Sequence, residues 1–250
     1  MVPPRRKARY AGPVTTGAAT AVDWLLACDE PAIRYRARTW LLGQSESDPG
    51  VRADRDRLAE GPIVATLLDM DDVTFDRPYR KWSGVHWRLV SLADFDLPVD
   101  DPRVRDSLDE AVDRELDWIA NPRHLEAIPK VDGLFRADAS MEGNGLYAAS
   151  RFGHARDERA RALVDKLLEW QWPDGGWNCD RASSGYRSSF HESWATAIGL
   201  AAYHDAVGAP EALAAARRTG ELLLEHRLFK RLRTDKPIHH SFVRLHWPAY

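Results

Sequence analysis

Cysteine is nearly absent: 250 residues contain two, Cys28 and Cys179. That is too few for a disulfide framework, and a reducing compartment is expected. No apolar run approaches the roughly 20 residues of a membrane-spanning helix. The positive charges at Arg5-Arg6-Lys7-Ala8-Arg9 are not followed by an apolar segment of signal-peptide type. A cytoplasmic chain with no membrane span is the expectation. Charge of one sign is lacking too. A formal net charge of −3 gives no global attraction to nucleic acid, and the basic opening reads as part of a solvated tail over residues 1–20. Strand signals are scarce. Nor is there a phosphate-cradling glycine loop, a serine-nucleophile elbow or a paired-histidine zinc helix.

What is abundant is helical periodicity and tryptophan. Ten tryptophans are present, and several of them, Trp82, Trp87, Trp172, Trp177 and Trp194, follow turn residues or open helices, where large aromatics wedge between elements. From residue 21 to 250 the pattern predicts one all-α domain. Ala21 to Cys28 pairs with Pro31 to Leu42, Gln44 to Gly50 is a polar loop, and a weaker helix covers Val51 to Leu68. Three apolar helices follow, at Trp82 to Phe95, Ser140 to Phe152 and Phe190 to Val207. Each is succeeded by a charged amphipathic helix, at Arg103 to Ile119, Asp157 to Trp170 and Glu211 to Leu228.

The pairs repeat at a spacing of roughly 55 residues, which marks stacked units that cannot bury their apolar faces alone. Their turns recur as Asp132-Gly133-Leu134-Phe135 and Asp174-Gly175-Gly176-Trp177. Their helix starts recur as Ser140-Met141-Glu142, Ser189-Phe190-His191 and Ser241-Phe242-Val243, with the serines suited to cap exposed first-turn amides. Two layers are predicted, apolar helices inside. If the inner starts share a rim, His86, Glu142, Asn144, His191, Glu192 and His246 stand at comparable depth.

Leu168-Glu169-Trp170-Gln171-Trp172-Pro173-Asp174-Gly175-Gly176-Trp177 resembles the glutamine-tryptophan repeat of the α/α-toroid family, which includes terpenoid and squalene cyclases and protein prenyltransferase β subunits. Ser189 to Leu200 is similar to the inner helix that follows this repeat. Glu142-Gly143-Asn144, Gly176-Trp177-Asn178-Cys179-Asp180 and Arg244-Leu245-His246-Trp247-Pro248-Ala249-Tyr250 resemble bacterial proteins described as cyclase-like or prenyltransferase-like. The resemblance runs from about residue 60 and implies a toroid of antiparallel helix hairpins. In those relatives a further helix follows the last motif, so an incomplete ring is expected for a chain ending at Tyr250.

Three chemistries are open, each beside a plainer reading. Zinc takes thiolate, imidazole and carboxylate. Cys179, Asp180 and His191 supply these, with His239, His240 or His246 to complete the set, although adjacent Cys179 and Asp180 diverge in most backbones; otherwise Cys179 is a small buried hydrophobe. Asp69-Met70-Asp71-Asp72 matches the acid string of class II terpenoid cyclases, or is a solvated helix end. Arg181, Arg187, Lys230, Arg231, Arg233 and Arg244 can grip an anion such as a prenyl diphosphate, or belong to the surface. The expectation taken forward is an enzyme of the cyclase- or prenyltransferase-like class acting on an isoprenoid or other apolar small molecule. Its catalytic residues are Asp180, His191 and Glu142, with Asp180 or His191 the acid/base if no metal binds and a ligand if one does, and its substrate contacts are Trp87, Asn144, Trp177, Trp194 and Arg244. The competing expectation is a non-catalytic helical-repeat scaffold for a peptide or protein. Prenyltransferases have a partner subunit, but no residue here marks a docking surface for one.

Overall fold

The computed structural model describes residues 18–70, 77–98 and 101–244, with side chains from Ala21 onward. Asp71, Asp72 and His246 lie outside the described residues, as does most of the predicted tail. The chain divides into two compact units, residues 1–62 and 63–250. Among the described residues the regular structure of both is helical apart from one two-stranded ribbon in the second.

In the first unit, α1 (Ala18–Leu26) packs on α2 (Pro31–Arg36), which continues as one π-helical turn to Leu41, and α3 (Pro49–Arg55) follows. Proline opens α2 and α3 because its missing N–H costs nothing in a first turn. Buried Asp54 joins these elements: it accepts from Arg34 Nε at 2.7 Å and Arg38 Nε at 2.9 Å. The helix predicted over Val51 to Leu68 breaks. Gly61 is extended (ψ 141°), and a 3₁₀ turn at Leu58–Glu60 separates α3 from α4 (Pro62–Leu68). The residue before a proline avoids the helical region, so the Gly61-Pro62 pair ends one element and starts the next.

The second unit carries the repeat. Helices α5 (Val85–Asp94), α6 (Arg105–Ile119) and the short α7 (Pro122–Glu126) lead to a two-stranded ribbon, β1 (Lys130–Val131) and β2 (Leu134–Phe135). After it come α8 (Ala139–Arg151), α9 (Glu158–Trp170), α10 (Phe190–Val207) and α11 (Pro210–Glu225). Each of α5, α8 and α10 packs against the helix that follows it, and α8 lies between α5 and α10; α9 also touches α6 and α11. The apolar helices therefore form one layer and the amphipathic helices a second, as the sequence predicts.

Direction can be read from contacts. Ser140 meets Glu192, Ala139 meets Thr196, and Gly143 meets Gly199, so α8 and α10 run parallel and begin at the same end. Their backbones nearly touch. A Cβ on Gly199 would lie 2.1 Å from the Gly143 carbonyl oxygen, and one on Gly143 would lie 2.4 Å from Thr196 Cα. Only glycine allows that approach. Near the other end of α5 and α8, Tyr147 donates to Asp94 at 3.1 Å and Arg151 pairs with Asp96.

The glutamine-tryptophan turn works as a staple. Gln171 Nε2 donates to the carbonyls of Gly175 and Ala215, both at 3.0 Å, and Thr219 donates to Gly175 O at 2.6 Å, tying the turn to α11. Trp172 Nε1 donates to Phe135 O at 2.7 Å, reaching the ribbon of the preceding repeat. Trp177 Nε1 donates to Leu167 O at 3.0 Å. Gly175 sits at φ 96°, where a side chain would be strained. The related Asp132-Gly133 turn has φ of 50° and 81°, the two positive values of a tight hairpin turn.

Candidate functional site

The starts of α8 and α10 gather five ionisable groups. Asp138 precedes α8, and Glu142 stands in its first turn. Glu192 stands in the first turn of α10, whose N-cap Ser189 accepts from Glu192 N at 3.5 Å. Cys179 arrives on the loop after Trp177. That loop returns to close on itself through Ser189 N donating to Trp177 O at 2.7 Å and Asn178 Nδ2 donating to Arg187 O at 2.7 Å. His124 reaches in from α7. No side chain caps α8 in the predicted manner: Ser140 lies inside the helix, and its amide donates at 2.8 Å to the Glu192 carboxylate of the neighbouring repeat.

Glu142 has no exposed surface. Its Oε1 is 2.9 Å from His124 Nε2, while its Oε2 is buried without a partner. Burial pushes the Glu142 carboxyl above the usual carboxylate range, only partly offset by His124. The bond to Glu142 holds the half-exposed His124 imidazole above its ordinary value. Glu192 is also buried and raised, chiefly by desolvation, with the bonds from Ser140 opposing. Cys179 Sγ lies 3.5 Å from Glu192 Oε1. Its thiol is pushed up to about 12 by burial and then by the charges of Glu192 and Asp138.

Asp138, Cys179 and Glu192 form the one group among the described residues with geometry to hold a metal ion, their ligand atoms lying within 4.8 Å of one another. Ligands around a tetrahedral zinc, with bonds of roughly 2.0–2.3 Å, stand roughly 3.3–3.8 Å apart; the Cys179–Glu192 separation already fits. Three protein ligands leave a fourth position for water or substrate.

This set differs from the one the sequence predicts, and Cys179 is the residue they share. Asp180 is outside that group, is exposed, and accepts from Ala182 N at 2.9 Å within the loop. His191 sits next to Glu192, but residues one apart on a helix point about 100° apart. Its ring packs on Phe242 at 5.0 Å and lines a different cleft.

Of the expected substrate contacts, Trp87 and Trp177 are fully buried and Asn144 is buried on α8. Trp87 Nε1 donates to Tyr79 O at 3.4 Å. Trp194 is 46% exposed, and Arg244 is exposed at the end of the described chain. A second buried pair, His86 Nδ1 and Glu115 Oε1 at 2.5 Å, links α5 to α6, with His86 Nε2 and Glu115 Oε2 left unpartnered.

Sequence reasoning missed Asp138 and His124 as site residues and placed Glu192 at the right depth without assigning it a role. Asp138 stands at the N-cap of α8, immediately before the recurring helix start that the sequence marks at Ser140-Met141-Glu142. His124 had no local signal. Among the described residues no helix is long and apolar enough to cross a membrane. Comparison with family models, curated proteins and solved structures finds no match for this chain.

Proposed function

We propose that this chain is an enzyme of the terpenoid-cyclase- or prenyltransferase-like class, acting on an isoprenoid or other apolar small molecule, with its three hairpins an arc of an α/α toroid. The observation that supports this most is the convergence of Asp138, Glu142, Cys179, Glu192 and His124 at the common end of two parallel inner-layer helices. Burying carboxyls there costs stability that apolar packing would not, and perturbed acids clustered at one place are a mark of working sites.

Each group has a role in this reading. Glu142, kept as a neutral acid by burial, supplies a proton to an electron-rich carbon of the substrate and becomes a carboxylate. A proton lost from the resulting cation returns to it, so none is consumed overall. His124 stabilises the carboxylate and links it to solvent. Zinc, held by Asp138, Cys179 and Glu192, would draw the thiol to its thiolate and act as a Lewis acid at the open position.

The test is product analysis. The purified chain, with and without added zinc, is incubated with prenyl diphosphates and with long isoprenoid alkenes, and extracts are read by gas chromatography–mass spectrometry. A new product, lost in Glu142→Gln and Glu192→Gln variants that keep the wild-type circular dichroism, is expected. No product from any substrate, or equal yields from both variants, would refute the proposal. Inactivity with tight capture of a peptide partner would instead favour the scaffold.

A further inference from the structure

Helix α8 is buried on almost every side, whereas α10 packs chiefly on α8 and α11 and keeps one face clear of both. Glu192, Thr196, Gly199 and Tyr203 mark its buried face. At 100° per residue, Trp194, Ile198, Ala201 and Asp205 stand on the opposite one. Trp194 is 46% exposed, Asp205 is exposed, and Ile198 and Ala201 are half-buried. Their spacings of four, three and four residues are the alternation of a helix–helix seam. A helix that is apolar on both faces belongs between two partners, and α10 has α8 and α11 on one side of it alone.

The seam complements itself when reversed. It is large toward the start of α10, at Trp194, and small beyond Ile198, at Ala201 and Ala202. A second α10 laid antiparallel about a two-fold axis at Ile198 sets each Trp194 over Ala201 and Ala202 of the other copy, a ridge into a groove. Charge agrees with size. Asp205 lies in the last turn of α10, where a carboxylate opposes the helix's own dipole, and among the described residues it has no hydrogen-bond or ion-pair partner. In the antiparallel pair it stands beside the first turn of the other copy's α10, where the dipole and the His191 imidazole favour a carboxylate. A parallel pair would set Trp194 against Trp194 and Asp205 against Asp205, with a steric and a charge conflict.

We propose that the free face of α10 is the contact surface of a homodimer, in which two copies of this chain pack their α10 helices antiparallel about a two-fold axis at Ile198. Trp194, expected from the sequence to touch substrate, is then the anchor of the interface, a role that large aromatics commonly fill. The pairing uses none of the side chains of Asp138, Glu142, Cys179 and Glu192, so it stands whatever reaction occurs there.

Sedimentation equilibrium on the full chain, over a hundredfold range of concentration, measures the association, and disulfide trapping measures its direction. A reversible monomer–dimer equilibrium is expected. Trp194→Glu and, separately, Asp205→Lys should each weaken it at least tenfold, while Leu224→Glu, at an exposed leucine of α11, should leave it within twofold of wild type. Trp194 and Asp205 are both exposed, so these variants are expected to fold, which circular dichroism checks. Under mild oxidation the Ile198→Cys variant should link two copies through position 198, identified by peptide mass spectrometry. The Asp205→Cys variant should not link at position 205, because the antiparallel pair holds its two copies of that position about 21 Å apart along the helices. A monomer at every concentration overturns the proposal and leaves the face to a partner of another sequence. A dimer indifferent to Trp194→Glu, or one that links at 205 and not at 198, overturns it as well.

Discussion

Gly199→Ala is the sharpest probe of how the inner layer is built. The added methyl would sit 2.1 Å from Gly143 O and 3.2 Å from Gly143 Cα. Neither obstacle is a flexible side chain, so relief requires α8 and α10 to move apart along their contact. Overpacking of this kind costs about 1–3 kcal/mol, and rigid backbone on the far side puts this case near the upper end. Alanine's better helix propensity returns about 1 kcal/mol. The net expectation is a loss of about 2 kcal/mol, or a fall in Tm of about 4–8 °C for a unit of this size. Gly220→Ala on α11 is the matched control: a Cβ there meets nothing within 4 Å. The same chemical change should then stabilise, by about 0.5–1 kcal/mol. Thermal unfolding followed by circular dichroism on both variants decides the matter. A Gly199→Ala protein as stable as wild type, with Gly220→Ala stabilised as expected, would refute the close parallel packing of α8 on α10.

Two further outcomes concern the site. Cys179, with a thiol pushed up to about 12 from 9.0, should hold about a thousandfold less thiolate at pH 8 than an unperturbed thiol. Its alkylation by iodoacetamide, followed by peptide mass spectrometry, should be correspondingly slow and should accelerate in Glu192→Gln; fast alkylation of the wild type would contradict the burial argument. Glu142 and His124 both hold protons more tightly when folded. Their stabilising contributions are present below the unfolded values, about 4.3 and about 6.5, and are lost as pH rises through the folded ones. Urea denaturation at pH 5, 7 and 9 should show wild-type stability declining more steeply than that of Glu142→Gln, and equal slopes would count against the Glu142–His124 pair.

The helix layers were readable because apolar periodicity, glycine turns and a fixed spacing all point the same way. Local chemistry explains most boundary errors. The helix predicted from Trp82 begins only at Val85, because Trp82 has a positive φ of 66° and Gly84 is the N-cap. Gly61-Pro62 split the helix predicted over Val51 to Leu68. The site was harder. Cys179 and Glu142 stand out in the sequence by residue type and register, but His124 reaches Glu142 from a five-residue helix that lies outside the repeat. Asp180 drew attention through its motif, yet its carboxylate serves the loop. Side-chain convergence across repeats is tertiary, and a one-dimensional register gives depth along a helix without giving direction around it.

The claim on which the proposed chemistry rests is that the buried Glu142 carboxyl at the start of α8 holds its proton more tightly than an ordinary glutamate. Infrared difference spectroscopy of the ¹³C-glutamate-labelled protein, titrated upward through the usual value of about 4.3, measures this directly. A protonated-carboxyl band that persists above that value and disappears in Glu142→Gln is the expected result; a spectrum in which every glutamate ionises at the usual value would contradict it.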